Sequence, residues 1–280
     1  KPGRQADVDR RLGRERTQSP YLSFRSIALS DDRIALVGTL GSEGEDTTDR
    51  RGPRLSPSGK LISATRIGQA KRDVSLAGIA PAESGWVVAG QSATLDYSGH
   101  PQEAGHADAF LARLGADLSV TWRHTISGDR LPDGQFQTSA EAVAAPPNRT
   151  VLLGGSTGHA YDTFPEHNPY QQVLAAYSPG GLLQWANTFG RDGRDYVLSL
   201  VMFRDTAYAL GEHALPHTWT SLREVAPQGR IAWRMGGAQD VRARAAVASS
   251  DAIFALLGRR RLAGDVPAGS LVLVKLKPVE

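Results

Sequence analysis

Six of the seven histidines fall in three segments of the chain, as His100 and His106, His159 and His167, and His213 and His217. Neutral imidazole is a metal ligand and a proton carrier, and Asp96, Glu103, Asp162, Glu166 and Glu212 stand in the same segments. Within the pairs the spacings are six, eight and four residues. Inside loops these spacings fix no metal geometry, so solvated polar loops are the competing reading. A second set is Asp73, Asp195 and Asp240, which lie 17, 16 and 18 residues ahead of Gly90, Gly211 and Gly258. Brought to one opening, three carboxylates could hold a hard cation such as Ca²⁺ or act as paired acids on a sugar. An aspartate at a turn equally caps backbone N–H groups. Recurrence in three units favours that structural role, because a catalytic residue is usually unique among repeats. Tyr97, Tyr161, Phe164, Tyr170 and Trp219 add aromatic surface to the histidine segments, the composition of a protein or glycan contact. The string GGSTG at 154–158 has the form of a nucleophile elbow, which requires a helix after the serine. The next residues are HAYDTFPEHNPY, with Pro165 and Pro169, so Ser156 reads as part of a glycine turn at a strand end.

The elements that must carry these residues repeat. Five apolar stretches run into glycine, IALVG to Gly38, WVVAG to Gly90, VLLGG to Gly155, YALG to Gly211 and FALLG to Gly258, at intervals of 52, 65, 56 and 47 residues. Each is preceded by an alternating strand (22–29, 73–80, 138–145, 195–202, 240–248) and followed by a variable loop and another strand (50–56, 108–114, 171–178, 220–226, 270–276). Tight turns PSG, GAD, PGG and PQG then lead into a further strand. In that strand Trp122, Trp185 and Trp233 share one position, which Ser63 takes in the first unit. Four strands per unit of about 50 residues is the pattern of propeller blades. The histidine loops then share one face with the starts of the innermost strands.

Unit two, with GWVVAGQSATL at 85–95 and DAFLARLGADLSVTWRHTISG at 108–128, resembles the bacterial SBBP-type β-propeller repeats. The resemblance covers nearly the whole chain, apart from a degenerate first unit. It implies architecture and an exported or surface setting, and it carries over no catalytic residue.

The reading is therefore an all-β, five-bladed β-propeller of four-stranded antiparallel blades, a single domain over 1–280. Its blades lie near 22–68, 73–128, 138–190, 195–237 and 240–280. The fifth unit is one strand short, and VDRRLG at 8–13 can supply that strand and close the ring, removing an exposed edge. No cysteine is present, which excludes disulfides and thiol chemistry. No apolar run reaches the roughly 18 residues of a membrane span. The opening Lys-Pro-Gly-Arg reads as a processed N-terminus, in a periplasmic or extracellular bacterial protein or a trimmed lipoprotein. Residues 1–16 hold six Lys/Arg against three Asp/Glu, which equals the whole chain's net charge of +3. The remainder is formally neutral, so nucleic acid is not expected as a partner.

The functional expectation is a non-catalytic, monomeric binding protein needing no cofactor. Its top-face residues His100, His106, His159, Tyr161, His167, Tyr170, His213, His217 and Trp219 contact another protein, inhibiting or neutralising it, or an envelope glycan. Two alternatives stay open: a five-bladed glycoside hydrolase or lyase with carboxylates at the pore, and a metal site built from the loop histidines, or from Asp73, Asp195 and Asp240 holding a pore cation.

Overall fold

The computed structural model describes residues 21–30, 33–41, 49–55, 61–67, 72–94, 107–126, 137–146, 150–158, 170–190, 195–213, 219–226, 231–235, 241–259 and 271–276. The first sheet holds β1 (Tyr21–Ser30), β2 (Arg33–Gly41), β3 (Asp49–Leu55) and β4 (Leu61–Arg66). The second holds β5 (Arg72–Ala82), β6 (Gly85–Thr94), β7 (Ala107–Gly115) and β8 (Val120–Ile126). The third holds β9 (Gln137–Ala144), β10 (Val151–Gly158), β11 (Tyr170–Tyr177) and β12 (Leu183–Phe189). The fourth holds β13 (Asp195–Phe203), β14 (Thr206–His213), β15 (Trp219–Glu224) and β16 (Ile231–Met235). The fifth has β17 (Val241–Ala248), β18 (Ile253–Arg259) and β19 (Leu271–Leu276). Strands pair antiparallel in chain order. The first strands of successive sheets pack on one another, β1 on β5, β5 on β9, β9 on β13 and β13 on β17, so the sheets stack face to face as blades.

The repeated glycines sit within strands. The strands do not end there: β6 runs on to Thr94, β10 to Gly158 and β14 to His213. Each first strand instead carries one extra residue, at Arg25, Ala77, Glu141, Leu198 and Arg244. Such a β-bulge bends the strand and increases its local twist. Gly38, Gly90, Gly155 and Gly211 oppose the residue just before the bulge. A Cβ at Gly90 would run into the carbonyl oxygen of Ser75, and one at Gly155 into that of Ser139. In the fifth blade Gly258 opposes Arg242, one position further along.

The shared tryptophan position is real in register. Trp122, Trp185, Trp233 and Ser63 each stand beside a one-residue shift in the outer strand, opposite Arg113, Ala176, Leu222 and Arg54. Trp122 Nε1 donates to the carbonyl of Pro179 at 2.8 Å, tying the second blade to the hairpin turn of the third. Gly181 in that turn has φ +87°, and a Cβ there would strike the His124 ring. Gly181→Ala is therefore expected to cost about 1–3 kcal/mol, from the left-handed backbone and the lost packing together. Thermal unfolding would show it, with Gly180→Ala as the silent control, since only Ser178 Oγ lies near that position, at 3.9 Å.

Alternation along the strands sends successive side chains to opposite faces. Trp86 and Val88 join Ala28, Ala35 and Val37 of the first blade, whereas Val87 and Ala89 join Val143, Leu153 and Tyr177 of the third. Two outward faces differ. Ile27 and Leu29 on β1 are 60% and 67% exposed, and Leu271 and Leu273 on β19 are 63% and 66% exposed. The N-terminal segment 8–13 expected to complete the fifth blade lies outside the described residues.

Candidate functional site

The densest polar cluster among the described residues lies where the third and fourth blades meet. Asp195, His213 and Trp219 stand side by side across β13, β14 and β15, because Asp195 pairs with His213 and His213 with Trp219 in register. Two residues further along the same face Gly211 pairs with Ser221. Gly211 offers no side chain, and a Cβ there would collide with Nε2 of Gln172 reaching over from β11. The glycine required by the bulge thus leaves a notch that the neighbouring blade fills.

Around His213 the polar atoms are matched. Its Nδ1 lies 2.8 Å from Asp195 Oδ1. A carboxylate only accepts and an amide nitrogen only donates, so with Gln172 Nε2 on its other side Nδ1 carries the proton and Nε2 presents a lone pair. That lone pair faces Gln172 Nε2 at 3.2 Å and Ser221 Oγ at 3.2 Å. The Gln172 amide also donates to the carbonyl of Tyr196 at 3.3 Å. Asp195, His213, Gln172 and Ser221 are all buried, and a buried polar group left unpaired costs about 1–3 kcal/mol. The His213 and Trp219 rings lie parallel, with centroids 3.4 Å apart and planes 5° apart. Nearby, Tyr170 stacks on Tyr196 with centroids 5.6 Å apart.

Asp195, His213 and Ser221 follow the hydrogen-bond order of a serine hydrolase triad. Two facts assign the relay another role. Ser221 has 0% exposure, so its hydroxyl has no path to a carbonyl carbon, and the Gln172 amide shares the Nε2 lone pair that a base must offer. The relay orients the imidazole ring.

On the opposite face of β14, Glu212 is buried and lies 3.6 Å from Arg242 Nε of the fifth blade. Burial raises its carboxyl above the ordinary value of 4.5, opposed by the charges of Arg242 and Arg244. The folded state therefore holds this proton more tightly than the unfolded chain does. The stability associated with Glu212 is present below the ordinary glutamate range and is lost as pH rises from that range through the raised folded value. Melting curves against pH should show wild type losing ground to Glu212→Gln across that window.

Comparison with known proteins bears on the architecture. No family model and no curated protein matches the chain. Among solved structures it is similar to the polysaccharide lyase Uly1, at 13% identity and a TM-score of 0.56, covering 92% of this chain and 58% of that one. It is also similar to Zg3597, a family 117 glycoside hydrolase of the marine bacterium Zobellia galactanivorans, at 11% identity and a TM-score of 0.51, covering 90% and 83%. The chain thus spans less than two thirds of the first and most of the second. The likeness is one of fold. It is that of a β-propeller, and at these identities it extends to nothing else. The resemblance to SBBP-type repeats accordingly holds for propeller architecture, with no family-level match beneath it.

In the propeller, three of the residues singled out from sequence, Asp195, His213 and Trp219, come together, and Tyr170 stands near them through its contact with Tyr196. They are not loop residues. Tyr170 opens β11, Trp219 opens β15 and His213 closes β14, and the Asp195 carboxylate takes the His213 ring as a partner. Asp73 does not share the register position of Asp195: it opposes Ala93, three residues past Gly90, whereas Asp195 opposes His213, two past Gly211. Ser156 lies within β10, not at a turn, with Oγ 3.0 Å from Ser139 Oγ. His100, His106, His159, Tyr161, His167, His217 and Asp240 lie outside the described residues, as does the side chain of Asp73. Among the described residues no group of three or more His, Cys, Asp or Glu could hold a metal ion, and no helix is long and apolar enough to cross a membrane. Gln172, Tyr196 and Ser221 are the partners that the histidine and carboxylate patterns did not point to.

Proposed function

We propose that this propeller binds glycan at the blade edge formed by Tyr170, Tyr196, His213 and Trp219, as a non-catalytic recognition protein acting outside the cytoplasm. The observation that carries the reading is the Gln172–His213–Asp195 network beneath Trp219. Among the described residues it occurs at one blade seam. The corresponding pair in the third blade is Thr138 with Thr157, hydroxyl to hydroxyl at 3.2 Å, so this set is not part of how blades in general are built. Aromatic side chains held by buried polar groups suit a site for a ligand with apolar faces and hydroxyl edges. The names of the two structural neighbours, a polysaccharide lyase and a glycoside hydrolase, agree with such a ligand. Binding to immobilised polysaccharides tests it. Retention of wild type and its loss in Trp219→Ala is the expected result, and equal retention of both would sink the proposal.

A second reading, hydrolysis or lyase cleavage of a glycan on the opposite face of β14, is favoured by Glu212, whose burial pushes its carboxyl towards the protonated form of a general acid. Release of reducing ends or unsaturated sugars, abolished in Glu212→Gln, would establish it over binding alone.

The propeller we propose is a ring of five blades in one domain. Ile27 and Leu29 on the first blade, with Leu271 and Leu273 on the fifth, are the apolar faces that such closure covers, and residues 8–13 supply the fourth strand of the last blade.

A further inference from the structure

Trp219 differs from the other tryptophans whose side chains are described. Trp86 is wholly buried, Trp122 sits on an outer strand against the hairpin turn of the third blade, and Trp185 packs against the clusters between the third and fourth blades. Trp219 stands at the start of its strand, half-buried, with its indole parallel to His213 at 3.4 Å. His213 in turn has little freedom. Asp195 holds one ring nitrogen at 2.8 Å, and Gln172 and Ser221 each meet the other at 3.2 Å. A plane stacked on an immobilised plane is itself immobilised, and a contact surface fixed before binding loses less entropy on binding.

We propose that Trp219 is the stacking platform for a pyranose ring of an oligosaccharide, and that Gln172, from the preceding blade, is its positioning residue, acting through His213. This rests on the glycan reading above and deepens it. The C–H groups on one side of a pyranose form an apolar face that fits an electron-rich indole, while the ring hydroxyls point outward to polar partners. Gly211 belongs to the same device, because a Cβ there would displace the Gln172 amide.

The test is titration of the full chain with an array of defined pyranose oligosaccharides, neutral and uronate, followed by calorimetry on the best binder. Trp219→Ala should weaken binding by about tenfold or more, the scale of one lost aromatic contact. Gln172→Ala should weaken it by about threefold to tenfold and shift the tryptophan emission, while in the Trp219→Ala background the same substitution should add nothing. Gly211→Ala should reproduce the effect of Gln172→Ala. Binding by Trp219→Ala within twofold of wild type would overturn the platform. Equal losses from Gln172→Ala in both backgrounds would reduce Gln172 to a merely structural residue. If wild type binds no oligosaccharide on the array, the glycan reading itself fails and this inference goes with it.

Discussion

Alanine at Gly90 or Gly155 is expected to lower stability by about 3 kcal/mol or more, at the upper end of what overpacking costs in a core. The reason is backbone against backbone. At each site the new Cβ meets the carbonyl oxygen of the paired first strand, Ser75 or Ser139, and neither a rotamer change nor a small side-chain shift can relieve it. The two backbones would have to move apart beside the bulge. Against a total stability of about 5–15 kcal/mol for an ordinary domain, such a loss leaves little margin. Chemical denaturation gives the number directly. A change below about 0.5 kcal/mol would mean that the strands separate at no cost, and that the glycines recur for another reason.

Ring closure makes the second large prediction. Leu29 and Leu273 are 67% and 66% exposed. If those faces stay open to water, Leu29→Ser and Leu273→Ser change stability by no more than about 0.5 kcal/mol each, as surface substitutions do. With the first and fifth blades docked, each removes a buried leucine, at about 1.5–3 kcal/mol. The pair together should then be non-additive, because the two side chains share one interface. If residues 8–13 complete the last blade as proposed, removal of residues 1–16 should destabilise the protein as well. Indifference to all three changes would argue for an open stack of blades.

Much of this fold could be read from the chain because each regularity had a local physical cause. The glycine that recurs in the first four blades stands opposite a bulge, with close backbone approach at Gly90 and Gly155, and the recurring tryptophan, with Ser63 in its place, marks a register shift in the outer strand. Both are repeated at constant positions relative to the strands, so loop length did not hide them. The site was only half legible. Asp195, His213 and Trp219 drew attention as residue types that do chemistry, but their proximity follows from cross-strand register, which a one-residue bulge at Leu198 resets. Gln172 and Ser221 carry no such signal. They sit inside alternating strands, and nothing in their spacing shows that a glycine on one blade makes room for an amide from another. The same limit applies to Asp73, whose distance from its glycine resembles that of Asp195 although its register does not.

The second, third and fourth blades each pack on the blade before and the blade after, through their two faces. Cooperativity in such an array is transmitted from neighbour to neighbour, as along a one-dimensional lattice. An unclosed lattice frays from its ends: amide hydrogens of the first and last blades would exchange fastest, with protection rising to a maximum near the third. A closed lattice has no ends, and its protection would be level around the circle. The shape of that exchange profile would report whether the chain ever stops being a line.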